Sequence, residues 1–309
     1  MAGSKLDRDA PEPSASSGLR LGLVQSRCTP DPEENLQRAL DGAREAASGG
    51  AHVVCLQELF QFPYFCQRED PAFFDWAESI PGPASRRLSL LARELGVVLV
   101  APLFERRAPG LYHNTALILD AGGRSLGLYR KMHIPDDPFY YEKFYFTPGD
   151  LGFQAHVTPH GSVGVLICWD QWFPEAARAT ALAGARLLLY PSAIGWFRDD
   201  SPRERREQQD AWETVQRAHA ITNGVFVAAV NRVGNEGAIG FWGRSFVCDP
   251  WGRVLARASD DRGQVLVVEC RLPEVEATRR TWPFLRDRRI ESYDGLLSRW
   301  GSKPDLPDL

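Results

Sequence analysis

The 309-residue chain is 44% hydrophobic and 25% charged, an ordinary globular composition that excludes a fibrous or wholly disordered protein. Its formal net charge of −4 argues against nucleic acid as a main partner, because such binders carry a basic face. No apolar run reaches the roughly 18 residues a membrane span needs, so no membrane partner is expected.

Residues 1–18 are rich in Ala, Pro, Ser and charge, with no apolar signal-like stretch, and read as a disordered N-terminal tail. Residues 301–309, with Pro304 and Pro307, read as a loose C-terminal tail. Between them no linker or repeat interrupts the pattern, so residues 19–300 read as one domain. Strands are predicted at 19–25, 52–56, 97–104, 161–168, 186–190, 225–231 and 264–269. Hairpins are predicted over 112–120 with 124–129, and over 244–248 with 254–258, across Gly-containing turns. Helices are predicted at 32–47 with Asp31 as cap, at 84–95 ended by Gly96, at 174–182 and at 203–222. Short apolar strands interleaved with amphipathic helices call for sheets covered by helices, an α/β layered fold. Periodicity does not separate a three-layer from a four-layer arrangement.

Six cysteines occur without a CxxC pair, several inside apolar runs, and read as reduced thiols in the cytoplasm. No GxGxxG follows the first strand and no GxxxxGK[ST] occurs, so no nucleotide cofactor is indicated. A metal is not expected either: His156 and His160 are interrupted by Pro159, and His113 and His133 have no carboxylate at a suggestive spacing.

Three segments deliver a reactive residue at the end of a strand. Glu58 follows Val53-Val54-Cys55-Leu56, Lys131 ends the first hairpin, and Cys168 follows Gly164-Val165-Leu166-Ile167. Ligand sites of α/β sheets collect at the carboxyl ends of strands. Each residue also has a plain alternative: Cys168 as a small buried hydrophobe, Glu58 as a surface or helix-start carboxylate, Lys131 as a solvated side chain. Their contexts resemble the nitrilase superfamily. They stand as Leu56-Gln57-Glu58-Leu59-Phe60, Tyr129-Arg130-Lys131-Met132-His133-Ile134-Pro135 and Cys168-Trp169-Asp170-Gln171-Trp172-Phe173-Pro174-Glu175, in family order over residues 19–297. The last of these, with Glu142-Lys143-Phe144-Tyr145-Phe146-Thr147-Pro148-Gly149-Asp150, is most similar to the superfamily branch that hydrolyses N-carbamoylputrescine. The resemblance implies a four-layer α-β-β-α sandwich, no cofactor, a small-molecule substrate and a homo-oligomer. For the last, the segment 282–297 is amphipathic enough to cross an interface, with an intrachain role as the alternative.

The residue types suit the chemistry. A free thiol with a pKa of about 8.5 is only slightly ionised at neutral pH, so Cys168 needs a base to attack a resonance-stabilised carbonyl. Glu58 is the candidate base, and would return the proton to the departing nitrogen. Lys131 and the backbone N–H of Trp169 are the candidates to hold the oxyanion. Glu142 is the fourth catalytic candidate, orienting Lys131 or the attacking water, with a loop carboxylate paired to Lys143 or Arg130 as the alternative. Tyr64, Ser192 and Trp196 are candidate substrate contacts, and Phe62, Tyr64, Trp169, Trp172 and Trp196 either line an apolar pocket or pack in the core.

In the branch named above, the segment after the next strand reads approximately Ala-Ile-Gly-Ser-Glu-Pro, its Glu suited to a distal ammonium. Here it is Ala193-Ile194-Gly195-Trp196-Phe197-Arg198, with Asp199 and Asp200 next. A related amidase acting on a β-ureido acid or an ω-amide is therefore the alternative substrate reading. A catalytically silent binding or scaffold protein is the alternative from another class.

Overall fold

A computed structural model describes residues 18–300; the expected tails fall outside these residues, Gly18 excepted. The first half runs β1 (Leu19–Gln25), α1 (Pro32–Ser48), β2 (Val53–Leu56), α2 (Pro83–Leu95), β3 (Val98–Ala108), β4 (Leu111–Leu119) and β5 (Ser125–Arg130). The second runs α3 (Glu142–Tyr145), β6 (Ala155–Thr158), β7 (Gly161–Val165), α4 (Pro174–Leu182), β8 (Leu187–Ser192), β9 (Gly195–Phe197), α5 (Pro202–Asn223), β10 (Phe226–Asn231), β11 (Val233–Glu236), β12 (Ile239–Trp242), β13 (Phe246–Cys248), β14 (Val254–Arg257), β15 (Gln264–Cys270) and α6 (Pro273–Thr281).

The strands form one six-stranded sheet in the order β15-β1-β2-β3-β4-β5, another in the order β14-β13-β10-β8-β7-β6, and a small sheet β11-β12-β9. Side chains alternate across each strand. In β2, Val53 and Cys55 join the core between the two large sheets, where Leu187, Leu189 and Phe226 also sit. Val54 and Leu56 face the other way, onto Leu36, Leu40, Leu88 and Leu91 of α1 and α2. Ala176, Ala177 and Ala181 of α4 and Trp212 and Ala220 of α5 pack on the second sheet. The molecule is thus a four-layer α-β-β-α sandwich, and strands buried on both faces explain the continuous apolar runs.

Local chemistry sets the helix ends. The Asp31 carboxylate accepts from the N–H groups of Glu33 and Glu34 at the start of α1. Gly96 closes α2 at φ +66°, in the left-handed region that favours glycine. Strand 161–168 departs from expectation. It stops at Val165, and Cys168 opens a 3-10 turn, Cys168–Trp172. The Asp170 carboxylate takes the Ile167 N–H at 2.9 Å, which diverts the chain from the sheet. The pair β11–β12 carries three glycines, Gly234, Gly237 and Gly240, and has no apolar run to betray it. Segment 282–297 holds only short 3-10 turns, Ile290–Ser292 and Asp294–Leu297, instead of an amphipathic element. Among the described residues no helix is long and apolar enough to cross a membrane.

Candidate active site

The ends of β2, β5 and β7 bring Glu58, Lys131 and Cys168 to one place. Strand β2 runs parallel to β1 and β3, and β7 parallel to β8, so their carboxyl ends share an edge within each sheet. Lys131 Nζ donates to Glu58 Oε1 at 2.8 Å and to Glu142 Oε2 at 2.6 Å. All three side chains are 0% exposed. The solvated readings of Glu58 and Lys131 are thereby excluded, as is the pairing of Glu142 with Lys143 or Arg130. Arg130 is instead held by Glu105 and Asp150.

Two neutral donors complete the cluster. Asn114 of β4 donates through Nδ2 to Glu58 Oε1 at 2.7 Å, and Tyr64 donates through its hydroxyl to Glu142 Oε1 at 2.6 Å. Glu58 Oε2 has no hydrogen-bond partner among the described residues. A buried carboxylate oxygen left without a donor is costly unless something visits it, and a thiol proton is suited to do so. A lysine ammonium has three donors, and two are used by the carboxylates, which leaves one for a ligand.

The electrostatics follow from burial around one cation and two carboxylates. Burial opposes the Lys131 charge, but Glu142 and Glu58 hold its pKa well above the usual lysine value. Burial, resisted by Lys131 and reinforced by the Glu58 charge, pushes Glu142 up to about 7. Burial and the Glu58 carboxylate push the Cys168 thiol well above its ordinary value, while Lys131 and the Ala193 N–H pull it back. The resting sulfur is therefore a thiol that must lose its proton to a neighbour before it attacks.

Backbone strain collects here too. Cys168 has φ +43° and Leu59, next to Glu58, has φ +46°. Such conformations cost on the order of 1–3 kcal/mol each and persist where the surroundings enforce them. Asp170 enforces the first: it accepts from Ile167 N–H, Tyr129 hydroxyl and His133 N–H. It thereby ties the cysteine turn to the segment after Lys131. Arg232 enforces the second, donating to the carbonyls of Glu58, Leu59 and Phe62 while paired with Glu236.

Cys168 opens onto a cavity of about 450 Å³. Trp169 and Trp172 line it, as do Asp137, Tyr140, Phe197 and Trp242. Tyr64, Ser192 and Trp196 were expected as substrate contacts and do not line it. Tyr64 is spent on Glu142, Ser192 faces Gln171 and the Tyr190 carbonyl, and Trp196 packs on Trp242 with ring centroids 5.5 Å apart. Phe62 stacks on Trp76 in a separate aromatic core. Asp200, weighed as a substitute carboxylate, accepts from Phe197 N–H and Gln208. Sequence reasoning missed Asn114, Asp170, Arg232 and Asp137; the polar triplet His113-Asn114-Thr115 inside an apolar strand was the available signal for the first. Among the described residues no group of three or more His, Cys, Asp or Glu is placed to hold a metal ion.

A four-layer sandwich whose strand ends gather a thiol, a lysine and two carboxylates in one dry cluster defines a hydrolase of the nitrilase class. The chain belongs to the carbon-nitrogen hydrolase family, whose model matches residues 20–280. It is 44% identical to an N-carbamoylputrescine amidase of Oryza sativa subsp. japonica over 94% of this chain and 98% of that protein. It is 37% identical to a citrullinase of Francisella tularensis over 92% of this chain and 100% of that protein. A crystal structure of a carbon-nitrogen hydrolase from Helicobacter pylori G27 is similar at a TM-score of 0.89 and 48% identity, covering 91% of this chain and 99% of that one.

Proposed function

We propose that the chain hydrolyses the ureido carbon–nitrogen bond of a linear N-carbamoyl amine, N-carbamoylputrescine first among them, through a covalent intermediate on Cys168. The observation that carries this reading is the single Lys131 ammonium shared by Glu58 and Glu142 beside a thiol that opens on a cavity. The substrate class rests on two supports: the rice relative at 44% identity, and a cavity with no Arg or Lys among its described lining residues. A β-ureido acid, an ω-amide of an acid or citrulline would bring a carboxylate with no cation to meet it. A tail that ends in an ammonium suits these walls better.

Cys168 loses its proton to Glu58 Oε2 as the C–S bond forms on the carbamoyl carbon. The oxyanion is received by the free Lys131 N–H and the Trp169 backbone N–H; one such donor is typically worth about 3 kcal/mol of barrier. The C–N bond breaks as Glu58 passes the proton to the departing nitrogen, since an unprotonated amide nitrogen leaves poorly. Water then gives a proton to Glu58 and its oxygen to the thiol-bound carbonyl, and Cys168 leaves with that proton. With N-carbamoylputrescine the acid released from Cys168 is a carbamic acid, which decomposes by losing carbon dioxide from its nitrogen, so that the final products are putrescine, carbon dioxide and ammonia. Glu142 keeps Lys131 charged and aimed.

The six free cysteines support a reducing compartment, the cytoplasm. Exposed Trp251, Trp282, Phe284, Leu296 and Leu297 support a homo-oligomer, because apolar patches of this kind mark interaction surfaces.

Ammonia release across carbamoyl amines, carbamoyl acids and amides, with mass spectrometry on Cys168, tests the reading. We expect carbamoyl amines to lead, and Cys168→Ala to abolish both turnover and the mass adduct. Turnover that survives Cys168→Ala removes the mechanism.

A further inference from the structure

We propose that Asp137 is the specificity residue of this cavity, its carboxylate receiving the distal ammonium of the substrate. The inference rests on the carbamoyl-amine reading above and names the group that recognises the tail. Among the described lining residues Asp137 is the only carboxylate, and the cavity is otherwise walled by Trp169, Trp172, Tyr140, Phe197 and Trp242. A cation entering such a cavity loses water and needs a partner, and Asp137 alone offers it a full negative charge.

The Asp137 backbone is fixed by a turn. Tyr140 N–H donates to the Asp137 carbonyl at 2.8 Å, closing Asp137–Tyr140 around Pro138 and Phe139. Phe139 sits at φ +62°, an unfavourable conformation for a bulky residue. Phe197 packs directly against it: the Phe139 and Phe197 ring centroids are 5.5 Å apart, those of Tyr140 and Phe197 6.3 Å. The Tyr140 hydroxyl also accepts from Gly195 N–H at 3.1 Å. Phe197 occupies the position where the related branch would carry an ammonium-binding Glu. In this chain that position supports a turn, and the negative charge stands on the turn instead. The exchange keeps one carboxylate residue on the cavity lining and moves it to the adjoining turn. Asp199 and Asp200 do not supply it, because neither lines the cavity.

The test compares N-carbamoylputrescine with pentylurea, in which a methyl group replaces the ammonium at the same chain length. Ammonia release is measured for wild type, D137N and D137E at neutral pH. We expect D137N to lower the kcat/KM ratio of N-carbamoylputrescine over pentylurea tenfold or more, with the change in KM for N-carbamoylputrescine and kcat within about threefold. Tenfold corresponds to about 1.4 kcal/mol. D137E should keep the ratio within about threefold of wild type. A D137N ratio equal to that of wild type overturns the proposal, as does a fall confined to kcat. Failure of wild type to release ammonia from both compounds overturns the function proposed above, and Asp137 with it, before any variant is measured.

Discussion

Tyr64→Phe isolates the charge state of the cluster. The hydroxyl donates to Glu142 Oε1 at 2.6 Å in a fully buried setting, and removal leaves that oxygen with no donor. A hydrogen bond to a charged group contributes about 1.5–3 kcal/mol, and one pKa unit is about 1.4 kcal/mol, so the substitution raises the Glu142 pKa by roughly 1–2 units. From its value of about 7, Glu142 would move to about 8–9. The sign follows from the donor, which favours the ionised carboxylate. If ionised Glu142 is what holds Lys131 in place, the acid limb of the kcat/KM profile follows it upward. Activity at pH 7 then falls on the order of tenfold and recovers above pH 9, where the carboxylate is again ionised. The assay is ammonia release from pH 5 to 10. A profile lowered uniformly, with its acid limb unmoved, would refute the role given to Glu142, because damage to packing has no reason to be undone by alkali.

Glu58→Gln keeps an acceptor for Lys131 and Asn114 but removes the base; kcat should fall by about 10²–10⁴, and a fall below tenfold in ammonia release would remove Glu58 from proton transfer. Arg232→Met empties five hydrogen bonds, to three carbonyls and both Glu236 oxygens, and leaves that carboxylate without its cation. It should cost about 3–5 kcal/mol of stability in urea unfolding, and a loss under about 1 kcal/mol would contradict the clamp.

The clustered residues at the strand ends were legible in the sequence for a physical reason. A strand buried on both faces must be apolar throughout, so a charged residue at its end stands out, as Glu58 does after Val53-Val54-Cys55-Leu56. Helix ends were legible because their caps are local: Asp31 and Gly96 act on neighbours within a turn. The small sheet was not, because β9, β11 and β12 are three or four residues long and each contains a glycine, which leaves no periodic signal. The part Tyr64 plays, and Asn114 and Arg232 altogether, escaped for a different reason. Their partners lie 78, 56 and 174 residues away along the chain, and no spacing rule reaches that far.

That division has consequences for how the site works. Cys168 alone is a thiol made less acidic by burial, and Lys131 alone is a cation made less stable by it. Each becomes usable only because distant residues fix the charge around it. Asp170 binds the cysteine turn and the His133 segment together, Arg232 fixes the loop behind Glu58, Tyr64 donates to Glu142 Oε1 and Asn114 to Glu58 Oε1. Among the carboxylate oxygens of the cluster, Glu58 Oε2 alone has no donor among the described residues. An acceptor left open in a buried polar site is costly, and Cys168 is the only thiol among the described lining residues of the cavity. In the proposed mechanism the first proton therefore passes from sulfur to Glu58, the carboxylate that keeps an oxygen open.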